Sequence, residues 1–581
     1  MKKIVIIVIF LAIIVGAYFY FQSRSKGGGT FWEWEPLKFT PESRISAVII
    51  PHFDTFADKR AELLKGVAGK VWPRKIILVS VNHFNAGGND IITADKNWQL
   101  SAGKVYSDQE LVKKLVDSGK AAENLAAFDN EHGINNIIPD LRANFPDVSI
   151  LPIIIKDKAS REKIDDLSAW IAENCPECLL VASVDFSHYC PRALAHVHDN
   201  FSIQALSNLD QDKIWQAETD SPQTLYLAAK LAESEQAKNF HLYYNSNSGD
   251  ASGNDDAEVT SVVLGYYGSA ESENPPAGGE PSSTFVIAGD AMFDRNVWHN
   301  YKGIGLKKIF ANFGTRPFRG ADLSLLNLEG PISASEIDDD WKSGSMVFNF
   351  PPETSSVLKY LNVGAVSLAN NHSANAGASG LANTKKVLGD AGIKYFGQAE
   401  GFDKVASTVR LDGPIPLSVI GVMALSDFDE TALEAKIKTE KSAGRAVIIF
   451  PHWGEEYKES HVASQESLAE KWIAAGADLT VGSHPHVTED FEIIDGKPII
   501  YSLGNFVFDQ FFSTETQEGL VIAGTISKDK ITLSFLPTRE KVVKPEFMTG
   551  AAKTAKIKTF LDINSESGFK KISSDTIEIP R

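Results

Sequence analysis

The chain has 581 residues, of which 43% are hydrophobic and 23% charged, and its net charge at pH 7 is -18. This length predicts about two to four packed domains, and the composition excludes a disordered chain. The acidic balance excludes a general nucleic-acid binder, because such a protein needs a basic surface to displace counterions from phosphates. We therefore expect no nucleic-acid partner.

An unbroken apolar run occupies residues 4–21, with basic residues on both flanks and three glycines after it. A helix needs about 20 apolar residues to cross a bilayer, and Tyr18, Phe19 and Tyr20 stand where an interfacial aromatic belt would lie. No small-residue cleavage site follows. The pattern predicts that residues 1–29 form an uncleaved single-pass membrane anchor and hinge, with the bulk of the chain outside the cytoplasm.

A first α/β region is predicted for residues 45–268. The apolar segments ISAVII, KIILVS, SILPIII and CLLVAS alternate with amphipathic stretches such as DQELVKKLVDSGK and REKIDDLSAWIAENC. This alternation is typical of a largely parallel sheet with helices on its faces.

Polar residues follow the strands of this region. His52 comes after AVII, His83 after ILVS, and Asp185 with His188 after LLVAS. The spacing of three between Asp185 and His188 predicts that both lie on one side of a helical turn. Residues 131–132, Glu and His, open a segment that looks helical. The shared placement predicts a site.

The three cysteines, Cys175, Cys178 and Cys190, lie within one short segment. Their small number excludes a disulfide framework. The single CxxC pair is compatible with a redox pair, half a zinc site or a structural role, and we assign it no function.

A linker is predicted at residues 269–283, which are rich in Pro, Gly, Ser and Glu. A second α/β region follows at residues 284–581. In six of its stretches a predicted strand runs into a polar cluster of metal-binding type. The residues in these clusters are Asp290, Asp294, Asn327, Glu329, Asn371, His372, His452, Glu455, His484, His486, Asn505 and Asp509.

The placement of these residues predicts a metal centre. In an open α/β sheet ligands bind beyond the carboxyl ends of the strands, so side chains that are distant in sequence converge there. Imidazole, carboxylate and amide oxygen together form the mixed shell that suits Mn, Fe or Zn. We therefore expect a divalent metal in this region.

Six segments of the second region carry a resemblance: GDAMFDR, LNLEGPIS, LANNHSAN, PHWGEEY, GSHPHV and YSLGNFVFD. In this order and spacing they resemble the CapA/PgsA family of poly-γ-glutamate capsule synthesis proteins. The resemblance implies a calcineurin-like metallophosphoesterase fold, a metal-dependent hydrolase-like activity, and an anionic surface polymer such as poly-γ-glutamate as partner.

The resemblance also implies roles for individual residues. His372 would act on the leaving group or steady the transition state, and the implied metal ligands are Asp290, Glu329, Asn371, His452, His484 and His486. Two departures stand out. The superfamily's first motif has aspartate-x-histidine, whereas this chain has Met292 two residues after Asp290, and Glu329 replaces a shorter bridging residue.

The first region resembles the Memo family, known in prokaryotes as AmmeMemoRadiSam system protein B, through PHFDTF, SVNHF, EHGINNIIPDL, SVDFSHY and YYNSNSGDASG. The resemblance implies a fold akin to class III extradiol dioxygenases, with a second site at His52, His83, Asp185 and His188. Where animal members have a cysteine this chain has Asp250. A carboxylate there favours iron or manganese over copper, or a pocket without metal.

The fold class that follows is two α/β domains, one Memo-like and one a metallophosphoesterase-like α/β sandwich, after one N-terminal transmembrane helix. The function that follows is a membrane-anchored protein of capsule or poly-γ-glutamate synthesis with a metal-dependent hydrolase-like domain. Two alternatives remain. One is a non-catalytic polymer-binding or scaffolding protein on a degenerate metallophosphatase fold, and the other is an oxygen-using or redox enzyme centred on the first domain.

Overall fold

The structure is a computed structural model that describes residues 44–254, 258–270, 280–313, 317–334, 346–562 and 568–581. The predicted anchor and hinge, residues 1–29, and most of the predicted linker lie outside these ranges. The domain boundaries placed around that linker stay a prediction.

The expectation of one transmembrane helix is contradicted. No helix within the described ranges is long and apolar enough to cross a bilayer. The apolar run that suggested an anchor lies outside the described residues. The transmembrane part of the fold class and the single-pass membrane location are therefore corrected.

The first region is built on one large sheet. Its strands and helices, numbered along the chain, are β1 (Ile45–Ile50), α1 (Ala57–Ala68), β2 (Lys75–Val81), β3 (Ile91–Thr93), β4 (Asn97–Leu100), β5 (Gly103–Ser107), α2 (Gln109–Asp117), β6 (Ala122–Glu123), α3 (His132–Asn135), α4 (Ile138–Asn144), β7 (Ser149–Ile155), α5 (Arg161–Asn174), β8 (Leu179–Ser183), β9 (Cys190–Pro191), α6 (Arg192–Ser207), α7 (Gln211–Gln216), α8 (Pro222–Ser234), β10 (Asn239–Asn247), α9 (Ser248–Ser252), β11 (Glu258–Val259) and β12 (Ser261–Gly268).

The sheet order is β10-β12-β1-β8-β2-β7-β3-β6. Strands β1, β8, β2 and β7 run parallel, and β12 and β3 pair antiparallel at either side of them. Burial on both faces explains why these strands read as continuous apolar runs. The predicted parallel core is confirmed.

Helix α5 shows why the amphipathic segments lie on this sheet. Ile164, Leu167, Trp170 and Ile171 are buried, at the spacing of one helical face. The helix ends at the CxxC segment, where Cys175 and Cys178 form a disulfide and are buried with the same core cluster.

The second region contains two sheets. Its elements are β13 (Ser282–Ala291), α10 (Arg295–Tyr301), β14 (Leu323–Leu328), α11 (Thr354–Tyr360), β15 (Ala365–Ser367), α12 (Gly377–Asp390), β16 (Lys394–Phe396), β17 (Thr408–Leu411), β18 (Leu417–Met423), α13 (Glu430–Ser442), β19 (Ala446–His452), α14 (Ala463–Ala475), β20 (Leu479–Val481), β21 (Phe491–Ile494), β22 (Lys497–Ile500), β23 (Asn505–Val507), β24 (Glu518–Ser527), β25 (Lys530–Lys541), β26 (Lys544–Phe547), α15 (Gly550–Asp562), β27 (Lys570–Lys571) and β28 (Thr576–Pro580).

One sheet has the order β16-β15-β14-β13-β24-β25-β28-β27, and the other has the order β17-β18-β19-β20-β22-β21. A shared apolar cluster packs the two face to face, with Ile287 and Leu325 from the first sheet and Ile448 and Val481 from the second. The parallel strands β13, β14 and β15 and the parallel strands β18, β19 and β20 supply the edge at which the candidate residues lie. The prediction of two α/β domains is confirmed.

Candidate metal centres

The first sheet of the second region brings two acids together through an amide. Asp290 ends β13 and lies opposite Asn327 of β14 in the parallel register. Asn327 Nδ2 donates to Asp290 Oδ1 at 2.8 Å and to Glu329 Oε2 at 3.1 Å. All three residues are fully buried. The two carboxylates therefore share one dry pocket.

The second sheet adds an imidazole to this pocket. His452 ends β19, and its ring can supply a ligand atom within 4.8 Å of carboxylate oxygens of Asp290 and Glu329. His452 Nε2 lies 2.9 Å from Asn371 Oδ1, and His452 Nδ1 lies 3.1 Å from Ser483 Oγ. Asn371, which is exposed, therefore joins the cluster from the β15 side.

His484 and His486 follow β20 and contact the same two acids. His484 donates its backbone N–H to Asp290 Oδ2 at 3.2 Å. His486 lies 3.5 Å from both Asp290 Oδ2 and Glu329 Oε1. The backbone φ angles are +104° at His484 and +62° at His486. Left-handed conformations are costly for such residues and cluster at functional sites.

Two glycines explain how the strand ends come so close. A Cβ at Gly289 would meet the carbonyl oxygen of Gly504 at 1.9 Å, and a Cβ at Gly482 would meet that of Tyr501 at 1.9 Å. Each glycine directly follows an apolar strand sequence and precedes candidate ligands. The GD and GSH segments therefore require glycine for backbone contact.

Burial changes the protonation of this pocket. It raises the pKa of Glu329 well above its usual range, with the neighbouring Asp290 adding to the effect. It lowers the pKa of His452 well below its usual range and the pKa of His484 to about 4. These two imidazoles are neutral at pH 7, which is the form that ligates metal.

His372 lies next to the cluster rather than among the acids. Asn375 Oδ1 accepts the Phe348 N–H at 2.8 Å and lies 3.0 Å from His372 Nδ1. The amide oxygen can only accept, so Nδ1 carries the ring proton. Burial lowers the pKa of His372. Its Nε2 is then an unprotonated acceptor, 3.3 Å from Asn371 Nδ2.

Two acids that the sequence places at strand ends, Asp294 and Asp509, make contacts outside the metal centre. Asp294 accepts the backbone N–H groups of Arg295 and Asn349 at 2.7 Å each and so caps α10. Asp509 accepts from Arg295 and from Asn296. Both carboxylates are thereby occupied by local contacts.

Sequence reasoning missed several residues of this pocket. Asn327 belongs to the predicted polar clusters but not to the predicted metal ligands. Asn370 Nδ2 fixes the Asn327 side chain by donating to Asn327 Oδ1 at 2.9 Å. Arg295 is buried and lies over the rings of Phe348 and Phe508. No strand-end position signals Arg295, because it begins helix α10.

The first region has a centre of different composition. His52 Nε2 lies 3.3 Å from Asp185 Oδ2 and 3.1 Å from Asp220 Oδ2. Asp185 Oδ1 also accepts the backbone N–H groups of His52 and Phe53. Burial opposes a charge on His52, but Asp185 and Asp220 outweigh it and raise its pKa to about 9.

His83 completes this first centre. Glu131 accepts the backbone N–H groups of His83 and Gly133, and its Oε1 lies 2.5 Å from His83 Nδ1. A carboxylate in this position fixes the ring tautomer and leaves His83 Nε2 available, 3.8 Å from Asp220 Oδ2. The His132 ring centroid lies 3.8 Å from that of His83.

Two residues predicted for this centre lie differently. Asp185 and His188 are in an irregular segment instead of a helical turn, although His188 still acts electrostatically on Asp185 and Asp220. Asp250 lies in α9 and contacts Arg192 and His196 at 3.4 Å each. The second carboxylate beside His52, after Asp185, is Asp220, which precedes helix α8 and follows no strand.

Both centres fit a divalent cation. The described residues contain three groups able to offer ligand atoms within 4.8 Å of one another: His52, His83 and His132; His52, Asp185 and Asp220; and Asp290, Glu329 and His452. In the second centre, Glu329 Oε1 and His484 Nδ1 are buried and have no hydrogen-bond partner among the described residues. Buried polar atoms are rarely left so, and a cation would satisfy them.

These geometries define a protein with two α/β domains, each carrying a candidate metal centre beyond its parallel strands. Comparisons with known proteins find a matching family model for each of the two domains. Residues 18–264 match the family model described as Memo-like protein, and residues 284–510 match that of bacterial capsule synthesis protein PGA_cap.

Individual relatives agree with both matches. The chain is 28% identical over 289 residues to capsule biosynthesis protein CapA of Bacillus anthracis, covering 46% of this chain and 70% of that protein. It is 29% identical over 262 residues to PGA biosynthesis protein CapA of Bacillus subtilis, covering 41% and 66%. It is 27% identical over 174 residues to a MEMO1 family protein of Caldivirga maquilingensis, covering 29% and 62%.

The chain therefore joins a Memo-like domain to a CapA-like capsule synthesis domain.

Proposed function

We propose that the CapA-type domain is a metal-dependent hydrolase of the phosphoester type, acting in the synthesis of a capsular polymer such as poly-γ-glutamate. The observation that carries the proposal is the convergence of Asp290, Glu329 and His452, which come from three strands and are all buried. Two acids and an imidazole buried without a cation are costly, so such a group is retained for chemistry.

In this proposal Asp290, Glu329 and His452 hold the cation, with Asn371, His484 and His486 as further donors. Manganese, iron or zinc bound there would supply Lewis-acid activation of a phosphoryl oxygen. The neutral rings of His452 and His484 need to lose no proton to bind it.

His372 contributes at the edge of the pocket. Its unprotonated Nε2 lies 3.3 Å from Asn371 Nδ2, and its ring is fixed by Asn375 and packed on Phe348 at 4.3 Å between centroids. A neutral imidazole held this rigidly is suited to accept a proton from an attacking water and to return it to a leaving group.

The polymer assignment rests on kinship. The two relatives from Bacillus are described as capsule and PGA biosynthesis proteins. The chain spans 62 to 70% of the length of the three relatives described above. We extend the role of those proteins in polymer synthesis to this chain as part of the proposal.

The test is hydrolysis of bis(p-nitrophenyl) phosphate by the full chain with added Mn(II). We expect turnover that disappears in His452→Ala and Asp290→Asn. The matched control is His299→Ala, because His299 is an exposed imidazole on α10. Turnover that persists in both site variants, or is lost equally in the control, would refute the assignment.

A non-catalytic polymer-binding role is the second candidate, and two observations favour it. Met292 occupies the position of the superfamily's histidine and is buried in the apolar core. Asn327 Nδ2 donates to both Asp290 and Glu329 and so offsets part of the negative charge that would attract a cation. Capture of poly-γ-glutamate by the full chain without any phosphodiester turnover would select this role.

A further inference from the structure

Helix α6 of the Memo-like domain is packed between the two domains. Its residues Leu194 and Val197 belong to one apolar cluster with Val286 of β13 and Val521 of β24. His198 Nε2 lies 3.2 Å from the Pro317 carbonyl, and Gln204 donates to Ser282 Oγ at 2.7 Å. The two domains therefore share a core as well as polar contacts.

One arginine of the CapA-type domain caps a helix of the Memo-like domain. Arg319 donates to the carbonyl oxygens of Trp215 at 2.8 Å, Gln216 at 3.3 Å and Ala217 at 3.0 Å. These carbonyls belong to the last turn of α7, where a helix leaves its acceptors without partners. Gly320 adds a backbone N–H bond to Gln216 at 3.1 Å.

The capped helix leads directly into the first metal centre. Asp220 follows the capped Ala217 by three residues, and its Oδ2 lies 3.1 Å from His52 Nε2 and 3.8 Å from His83 Nε2. On its other side the same segment is bound to Asp185, whose carbonyl accepts from Thr219 Oγ1 at 2.8 Å and from the Asp220 N–H at 3.1 Å.

We propose that Arg319 is a positioning residue for the first centre: by capping α7 it sets where Asp220 meets His52 and His83, so the CapA-type domain tunes cation binding in the Memo-like domain. The side chain is only 11% exposed and reaches Glu218 Oε2 at 3.9 Å. Its contacts thus cover residues 215–218, the whole approach to Thr219 and Asp220.

A second contact across the same interface separates this role from general packing. Lys213, in the middle of α7, pairs with Asp322 at 2.5 Å. This ion pair also joins the domains through α7, but it leaves the carbonyls of the last turn untouched. Lys213→Ala is therefore the matched control for Arg319→Ala.

The experiment is a Co(II) titration of the full chain followed by visible absorption. The signal of the first centre is defined as the part lost in His52→Ala, and that of the second as the part lost in His452→Ala. We expect Arg319→Ala to weaken the His52-dependent signal about 10- to 100-fold, as loss of an orienting contact does. Arg319→Lys should recover part of the loss, because an ammonium also donates hydrogen bonds. It should not recover all of the loss, because an ammonium cannot reach three carbonyls.

Lys213→Ala should bind Co(II) at the first centre within about twofold of the unaltered chain, and the His452-dependent signal should be the same in all three variants. Should Arg319→Ala fail to fold, as judged by circular dichroism, Arg319→Lys decides with an expected loss of at least threefold. The proposal is overturned if Arg319→Ala and Arg319→Lys bind Co(II) normally, if Lys213→Ala weakens binding equally, or if no His52-dependent signal exists. None of these results bears on phosphodiester turnover in the second domain.

Discussion

The two candidate centres lie at equivalent positions on their sheets, but their histidines differ in charge. Each lies beyond the carboxyl ends of parallel strands, where a sheet gathers residues that are distant in sequence. In the Memo-like domain His52 lies between two carboxylates, which raise its pKa to about 9. In the CapA-type domain burial keeps His452 and His484 neutral.

The two centres balance the charge of their buried side chains in different ways. In the first centre a proton on His52 balances the charge of Asp185 and Asp220. In the second centre burial keeps His452 and His484 neutral, and Glu329 Oε1 has no hydrogen-bond partner among the described residues. A cation would displace the proton of His52 from the first centre. In the second it would displace the proton that the raised pKa of Glu329 favours, but none from His452 or His484.

The largest expected effect tests whether the centres are separate. His452→Ala should abolish metal binding at the second centre, a loss beyond the ~10- to 100-fold that removal of an outer hydrogen-bond partner costs. His52→Ala should do the same for the first centre alone. Equilibrium dialysis with Mn(II) followed by metal analysis measures both effects. Loss of all metal in either single variant would show that the two centres do not bind metal separately.

A smaller effect is expected from Glu131→Gln in the first centre. Glu131 holds His83 through its ring nitrogen and its backbone, so the amide should weaken Mn(II) binding there by about 10-fold or more. The matched control is Glu123→Gln, an exposed glutamate on β6. Equal affinity of both variants in the dialysis assay would show that Glu131 does not orient His83.

The strands could be predicted from the sequence, and with them the strand-end placement of most candidate residues, because both depend only on local apolar runs. The prediction failed where placement depends on tertiary contacts. Asp220 follows a helix, and its approach to His52 depends on α7 and on pairing with Asp185. Asp250 stands where animal members of the Memo family have a cysteine, but α9 carries it to Arg192 and His196.

The membrane prediction failed for a different reason. It rested on hydropathy in residues 4–21 alone, outside the described residues, and no helix that the structure describes meets the length and apolarity required. The roles of Asn327 and Arg295 could not be predicted, because neither an amide within a strand nor an arginine that begins a helix signals a ligand pocket.

Glu440 has cationic partners, and the shift of its pKa is therefore opposite to that of Glu329. Glu440 accepts from Arg410, Lys436 and Ser418, and these contacts, with Arg410 first, lower its pKa to about 2. Its stabilisation is present above the unfolded pKa of about 4.5 and is lost as the pH falls toward 2. Glu440→Gln should cost about 2 kcal/mol at pH 7, allowing for the exposed Arg410.

Chemical denaturation at pH 7 and pH 3 measures this effect, and the difference between Glu440→Gln and the unaltered chain should shrink at the lower pH. A constant difference at both pH values would mean that the charge of Glu440 contributes nothing.

The smallest effect concerns the aromatic rims of the two centres. Phe512 is 65% exposed and packs edge-on against Tyr457, whose ring stacks 6.1 Å from His486. Phe84, 60% exposed, stands similarly beside His132 of the first centre. Phe512→Ala should weaken capture of poly-γ-glutamate about three- to fourfold, because covering one methylene group of the polymer with a ring is worth about 0.8 kcal/mol. It should leave Mn(II) binding unchanged.

Tyr106→Ala, which removes an exposed ring on β5, is the control for this comparison. Capture that falls equally in both variants would indicate a nonspecific loss of apolar surface.

The most direct test of the account is anomalous diffraction from crystals of the full chain soaked in Mn(II). We predict a peak bounded by Asp290, Glu329 and His452, at roughly 2.0–2.2 Å from their oxygen and nitrogen atoms. Manganese bound only elsewhere on the protein, with these three side chains keeping their hydrogen bonds to Asn327 and Asn371, would contradict it.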